Sequence, residues 1–106
     1  MNMKIAVHLA EGFEEIEAIS IIDVLRRAGF EVVTVSVSND LNVTGSHQIP
    51  VIADKLFEDI NYDLIEMIVL PGGMPGAKNL NNNEGLKNQI TAFNKKGKLL
   101  GAICAA

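Results

Sequence analysis

The amino-acid sequence predicts an α/β fold, in which helices cover a mostly parallel β-sheet. Three observations predict it: apolar runs that suit buried strands, amphipathic segments between those runs, and glycines where each helical segment would end. Strands that alternate with helices of this length join by right-handed crossovers, so we expect their carboxyl ends to share one edge of the sheet. Ligands of such sheets bind beyond that edge.

The first half of the chain contains two predicted strands around a helix. Residues 4–9 form a near-continuous apolar run, and residues 31–37 form a β-branched run. Between them, residues 13–28 carry apolar side chains at helical spacing, and Gly29 follows as a helix-ending glycine. The main apolar stripe of this helix consists of Ala18, Ile21, Ile22, Leu25 and Ala28.

Two further apolar side chains, Ile16 and Ile19, lie off that stripe. A helix on the outside of a sheet needs only one apolar face, so we expect the extra surface to meet a second partner, such as another subunit.

The second half of the chain is predicted to contain a small hairpin, a strand, a helix and a last strand. Asn83 suits the N-cap of that helix, and Gly97 suits its end. The four elements cover, in order, residues 43–52, 63–70, 83–97 and 98–103. Since the sequence continues for only three residues after this buried-type strand, we expect residues 1–106 to be the N-terminal part of a single domain, completed by a second chain or a missing segment.

Composition excludes several classes of protein. The 106 residues are 48% apolar and 21% charged, as expected for one folded domain. The 13 acidic and nine basic residues leave no basic surface for nucleic acid. The short apolar start predicts neither a signal peptide nor a membrane span, and the single cysteine fits the cytoplasm. We expect no cofactor and no metal site.

Cys104 is the first candidate for chemistry, because it follows a predicted buried strand at the edge where ligands bind. A helix starting after Ala105 would favour the thiolate form of this cysteine. The alternative is a buried structural cysteine. Gly72 and Gly73 are the second candidate: their N–H groups could stabilise an oxyanion, or the pair could simply form a tight turn.

The third candidate is Glu17, within an acidic helix start. Acids in a first helical turn are expected from the helix dipole alone, but Glu17 has apolar neighbours and we expect it to be partly buried. A carboxyl group buried beside a cysteine would hold its proton and could donate a hydrogen bond or act as a general acid. We expect His8 to be a strand-end residue and His47 a loop residue, without catalytic roles.

Together these segments resemble the DJ-1/PfpI (ThiJ-like) superfamily, and most of all its DJ-1/ThiJ branch. Each motif is weak alone, but their order and spacing agree along the whole chain. The matching stretches are Glu11-Gly12-Phe13-Glu14-Glu15-Ile16-Glu17, Asp23-Val24-Leu25-Arg26-Arg27-Ala28-Gly29, Val69-Leu70-Pro71-Gly72-Gly73 and Gly101-Ala102-Ile103-Cys104-Ala105.

The resemblance implies a flavodoxin-like three-layer sandwich of the class I glutamine amidotransferase type, and a homodimer formed through the first helix. It implies that Cys104 is the reactive cysteine, that Glu17 hydrogen-bonds the thiol, and that Gly73 and Ala105 supply oxyanion donors. Arg27 matches an arginine near the interface and the site.

The activities that the resemblance implies differ in chemistry. A glyoxalase or deglycase without a cofactor would use Cys104 to attack a small reactive carbonyl, with Glu17 as proton shuttle. The alternatives are a redox sensor or chaperone that responds to oxidative stress through Cys104, a PfpI-type peptidase or amidase with a peptide-like substrate, and a ThiJ protein linked to thiamine biosynthesis. Members of this branch often place a histidine in the stretch that follows the cysteine, which would lie after Ala106.

Overall fold

The computed structural model of the chain describes residues 3–102, which form a five-stranded parallel sheet and a separate hairpin. The sheet order is β5-β2-β1-β6-β7, so that β1 lies in the centre with a parallel neighbour on each side. The strands are β1 (Lys4–Leu9), β2 (Glu31–Ser36), β3 (Asn42–Thr44), β4 (Pro50–Ile52), β5 (Lys55–Leu56), β6 (Met67–Leu70) and β7 (Leu99–Ala102). The predicted parallel α/β fold is confirmed.

Helices cover both faces of the sheet, in three layers. Helix α1 (Glu15–Arg27) lies on one face, while α3 (Glu84–Lys96) and two short 3-10 turns lie on the other. The core under α1 consists of Ile5, Val7, Ile22, Val32 and Val69. The core of the opposite face consists of Ala6, Val35, Tyr62, Ile65, Ile68 and Phe93. Alternate residues of β1 therefore enter opposite cores, as the two-residue period of a strand requires.

The predicted helix ends are confirmed by local chemistry. The side chain of Asn83 accepts a hydrogen bond from the Leu86 N–H at 2.8 Å and caps α3. Gly29 and Gly97 follow α1 and α3 with φ values of +92° and +71°, the left-handed conformation that glycine adopts without strain. No helix among residues 3–102 combines the length and the apolar character that crossing a membrane requires.

Between β4 and α3 the structure differs from the sequence-based prediction. The strand predicted over residues 63–70 is confined to Met67–Leu70, because Asn61 accepts the Asp63 N–H at 3.1 Å and starts a 3-10 turn, Tyr62–Leu64. Helix α2 (Gly76–Asn81) is absent from the sequence-based prediction. Its buried residues are too few to show a helical period, although Leu80 enters the core.

Candidate functional site

Two of the three candidate sites, the glycine pair after β6 and the start of α1, meet at the carboxyl edge of the sheet. The Glu14 N–H donates to the Gly72 carbonyl at 2.9 Å, and the Gly76 N–H donates to the Gly12 carbonyl at 3.1 Å. The turn between β3 and β4 joins them, since the Ser46 N–H donates to the Phe13 carbonyl at 2.8 Å. The loops after β1 and β6 and the hairpin turn thus form one connected structure.

Glu17 lies in the first turn of α1 and is half-buried, as predicted. Its Oε1 accepts the Gly72 N–H at 3.1 Å, so the carboxyl group faces the loop after β6. Strand β7 ends at the same edge, where Ala102 pairs with Leu70. Cys104 and Ala105 lie outside the described residues, so their predicted roles stay predictions.

The two glycines after β6 differ in their hydrogen bonds. The Gly72 N–H already donates to Glu17, whereas the Gly73 N–H donates to no group among residues 3–102. Gly73 is therefore better placed than Gly72 to act as an oxyanion donor. Its φ of +113° and close surroundings require glycine: an added Cβ would lie 2.5 Å from the Glu14 nitrogen and 2.8 Å from the Gly12 oxygen.

Arg27 lies at the opposite end of α1 from Glu17. Its Nε donates to Asp23 Oδ1 at 3.0 Å, and its side chain is exposed. Ten residues of α-helix span about 15 Å, so Arg27 is not part of the site within its own chain. The apolar surface predicted on this helix is exposed, with Ile16 77% and Ile19 45% accessible. The predicted interface role of Arg27 stays a prediction.

A buried carboxylate at Glu15 is the feature that sequence reasoning missed. Glu15 is only 5% exposed, and its Oε2 accepts the N–H groups of His47 at 2.7 Å and Ile49 at 3.3 Å. Its Oε1 faces His47 Nδ1 at 3.0 Å. Glu14 Oε2 lies 3.7 Å from the same nitrogen. The helix start and the hairpin turn are therefore joined through one side chain.

The hydrogen bonds and charges in this cluster shift the pKa values of Glu15 and His47. Burial opposes ionisation of Glu15, but hydrogen bonds from the His47 side chain and from backbone N–H groups outweigh it and lower the pKa of Glu15 to about 2. The hydrogen bond to Glu15, together with the negative charges of Glu15 and Glu14, raises the pKa of His47. His47 is thus an ion-pair partner rather than an isolated loop residue.

The sequence does contain a signal for Glu15. The buried residues of α1 include Glu15, Ala18 and Ile22, which are spaced three and four residues apart. Extending the predicted apolar stripe one turn backward from Ala18 therefore reaches Glu15. The signal is masked by the neighbouring acids of the helix start, which the helix dipole favours without any burial.

His8 lies near the end of β1, as predicted, and its side chain is within the core. It is fully buried on β1, with Nε2 2.6 Å from the Tyr62 hydroxyl and Nδ1 3.4 Å from the Val69 carbonyl oxygen. Burial lowers the pKa of His8 to about 4, although weaker backbone hydrogen bonds oppose this shift. His8 is therefore neutral near pH 7 and does not face the candidate site.

Comparisons with known proteins agree on one family. The model of the DJ-1/PfpI family matches residues 3–106. The structure is similar to oxidized DJ-1 of Toxoplasma gondii, with a TM-score of 0.94 and 44% identity, covering 97% of this chain and 56% of that one. It is also similar to DJ-1beta of Drosophila melanogaster, with a TM-score of 0.96 and 32% identity, covering 100% and 57%.

A plant relative, protein DJ-1 homolog A of Arabidopsis thaliana, is 39% identical over 102 residues, which are 96% of this chain and 26% of the relative. The chain thus spans little more than half of the two solved structures and about a quarter of the plant protein. Because the family model covers nearly every residue, the chain belongs to the DJ-1/PfpI family.

Proposed function

We propose that this chain carries the cysteine site of a cofactor-independent enzyme that acts on small reactive carbonyl compounds, as a glyoxalase or deglycase does. Cys104 is the nucleophile, Glu17 is the proton shuttle, and the N–H groups of Gly73 and Ala105 stabilise the oxyanion. The observation that carries the proposal is the hydrogen bond from the Gly72 N–H to Glu17, 3.1 Å long. It holds a half-buried carboxyl group at the edge of the sheet where β7 ends.

With methylglyoxal as substrate, the Cys104 thiolate adds to the aldehyde carbon and forms a hemithioacetal oxyanion, which takes a proton from Glu17. Glu17 then moves the proton of the former aldehyde carbon to the ketone carbon by way of an enediol, which leaves a thioester. Water hydrolyses the thioester, releasing lactate and the thiolate. One carbon is oxidised and its neighbour is reduced, so the sum is methylglyoxal plus water giving lactic acid.

The test is the rate of lactate formation from methylglyoxal by the intact protein. We expect Cys104→Ser to lower the rate more than about a thousandfold, because the nucleophile is lost. We expect Glu17→Gln to lower it about a hundredfold, because the amide cannot transfer protons. Glu84→Gln is the matched control, since Glu84 is exposed at the start of α3. Equal rates for wild type and Cys104→Ser would refute the proposal.

A redox role is the second candidate, favoured by the similarity to a Toxoplasma gondii DJ-1 structure described as oxidized. In this role, two molecules of hydrogen peroxide convert the Cys104 thiolate to a sulfinate and release two molecules of water. Glu17 and the backbone donors stabilise the sulfinate. Intact-mass spectra after mild peroxide should show two added oxygen atoms, which Cys104→Ser abolishes. An unchanged mass for the wild type would contradict this role.

We also propose that the chain forms a homodimer through α1, whose residues Ile16, Ile19 and Val24 are exposed. A charge placed in an apolar interface opposes association, so Ile16→Glu should shift the native mass from dimer to monomer. The exposed Ile52 on β4 lies outside α1, and Ile52→Glu serves as the control. A wild-type monomer would contradict the proposal.

A further inference from the structure

The start of α1 and the hairpin turn bring three metal-binding side chains to one point. Glu14, Glu15 and His47 each offer one ligand atom, and these atoms lie within 4.8 Å of one another. His47 Nδ1 is 3.0 Å from Glu15 Oε1 and 3.7 Å from Glu14 Oε2. Ligands that share a tetrahedral ion at bond lengths near 2.0 Å are about 3.3 Å apart, so the two His47 pairs already match this spacing, while the two carboxylates, within 4.8 Å of each other, would close by up to about 1.5 Å.

The backbone orients both carboxylates toward this point. Glu15 Oε2 accepts the N–H groups of His47 and Ile49, while Glu14 Oε1 accepts the Ile16 N–H at 2.9 Å. Each carboxylate therefore binds the backbone with one oxygen and turns the other toward the His47 imidazole. Outer hydrogen bonds of this kind fix the orientation of the ligands in metal sites.

Because Gly45 has no side chain, the Glu15 carboxylate can occupy the space next to it. A Cβ added at Gly45 would lie 2.3 Å from the Glu15 carboxyl carbon, so a larger residue would displace the carboxylate. The close fit of the turn around Glu15 supports a fixed position for this group rather than a mobile surface acid.

The balance of charge in the cluster favours a cation. Two carboxylates stand on consecutive residues, and the Glu15 side chain is only 7% exposed. Within residues 3–102, His47 is the ion-pair partner of both, and neither pairs with a lysine or arginine. Because a buried carboxylate is costly without a compensating charge, a divalent ion at this point would offset the charges of both carboxylates.

We propose that Glu14, Glu15 and His47 bind a divalent transition-metal ion of the Zn²⁺ class, a function separate from the cysteine site. One imidazole nitrogen with two carboxylate oxygens is a donor set that suits Zn²⁺ better than Ca²⁺ or Mg²⁺, which prefer oxygen alone. The His47 side chain is 69% exposed, so the remaining coordination positions of the ion face water. The ion would tie the hairpin turn to the start of α1.

The test is Zn²⁺ binding by calorimetry in the full-length Cys104→Ser protein, because a thiolate also binds zinc. We expect one Zn²⁺ per chain. His47→Gln and Glu14→Gln should each weaken binding at least about tenfold, while the exposed Glu84→Gln control should leave it unchanged. Circular dichroism checks that the variants are folded. Glu15 is not varied, because its loss would disturb the turn itself.

The two histidines among residues 1–106 give a second readout. In imidazole ¹⁵N spectra, Zn²⁺ should shift the resonances of His47 and leave those of the buried His8 unchanged. The proposal would be overturned if the Cys104→Ser protein bound no Zn²⁺, or if Zn²⁺ still bound after His47→Gln. It would also be overturned if Zn²⁺ shifted the resonances of neither histidine. Because the cysteine is absent from the test protein, these outcomes are independent of the proposed enzyme activity.

Discussion

The core around His8 and the hairpin turn around His47 place the same side chain in opposite surroundings. Among residues 3–102 no carboxylate lies beside His8, which is buried on β1 against Tyr62, so burial lowers the pKa of His8 to about 4. His47 lies at the surface against two carboxylates, which raise its pKa. The comparison shows that this fold excludes charge from the middle of the sheet and collects it at the carboxyl edge, where the candidate site lies.

The largest expected effect on stability is that of Gly73→Ala, in the loop after β6 that contacts the start of α1. The new Cβ would lie 2.5 Å from the Glu14 nitrogen, at a φ of +113°. Steric overlap and backbone strain together should lower the free energy of unfolding by about 4 kcal/mol. Gly29→Ala is the matched control: its φ is +92°, but a Cβ there meets nothing within 4 Å, so we expect a loss of about 1 kcal/mol. Urea unfolding measures both, and equal losses would contradict the close approach.

The pH dependence of the free energy of unfolding tests the surroundings of the buried His8. Because the pKa of His8 falls from 6.5 to about 4 on folding, the unfolded chain takes up a proton that the folded chain refuses. The stability that neutral His8 allows is present above pH 6.5 and is lost as the pH falls to about 4. We expect a loss of about 3 kcal/mol in the free energy of unfolding over this window.

The control for this prediction is the double variant His8→Leu/Tyr62→Phe, which removes both members of the buried hydrogen bond. Its unfolding free energy should change less with pH across the same window. The same pH slope in the double variant and the wild type would mean that His8 is not the group responsible.

Glu15→Ala tests whether the Glu15 carboxylate stabilises the fold. It removes a buried carboxylate and leaves the part-buried N–H groups of His47 and Ile49 without their acceptor. We expect the melting temperature to fall by about 10 °C, because two backbone hydrogen bonds and the packing of the Glu15 side chain are lost together in a chain of this size. The exposed Glu84→Ala should change it by less than about 2 °C. Calorimetry in metal-free buffer measures both, and similar values would show that Glu15 does not hold the turn.

The smallest expected effect is that of His47→Gln in metal-free buffer. Because the folded pKa of His47 is raised, its contribution to stability is present below pH 6.5 and is lost as the pH rises through the folded value. The variant should melt a few degrees lower than the wild type in mild acid and equally in mild alkali. The effect is small because the His47 side chain is 69% exposed. A difference in melting temperature that grows as the pH rises would contradict the role of His47 as an ion-pair partner.

Much of the fold could be predicted because local patterns agreed with the tertiary structure. The β-branched run of β2 and the Asn83 cap of α3 each specify one conformation. Helix α2 could not be predicted, because six residues are too few to show a helical period, and Leu80 joins its core cluster only in the folded chain. The half-buried position of Glu17 was predictable from its apolar neighbours and its place near the edge of the sheet.

The charged cluster could not be predicted from spacing alone. His47 is 32 residues from Glu15 in sequence, and only the folded hairpin turn brings them together. Neither residue carries a local pattern that indicates a partner at that distance. The pKa shifts of the two histidines were equally inaccessible, because they depend on what surrounds each ring after folding.

The parallel pairing of β1 with β6 has a consequence for how the site forms. Ile5 pairs with Met67, and the hydrogen bond from Gly72 to Glu17 joins residues 55 positions apart. Contacts between residues so far apart in sequence require long loops to close, which slows folding. A fragment that stops before β6 would contain the Glu17 carboxyl group without the amide that holds it. Assembly of the site is therefore coupled to completion of the central sheet.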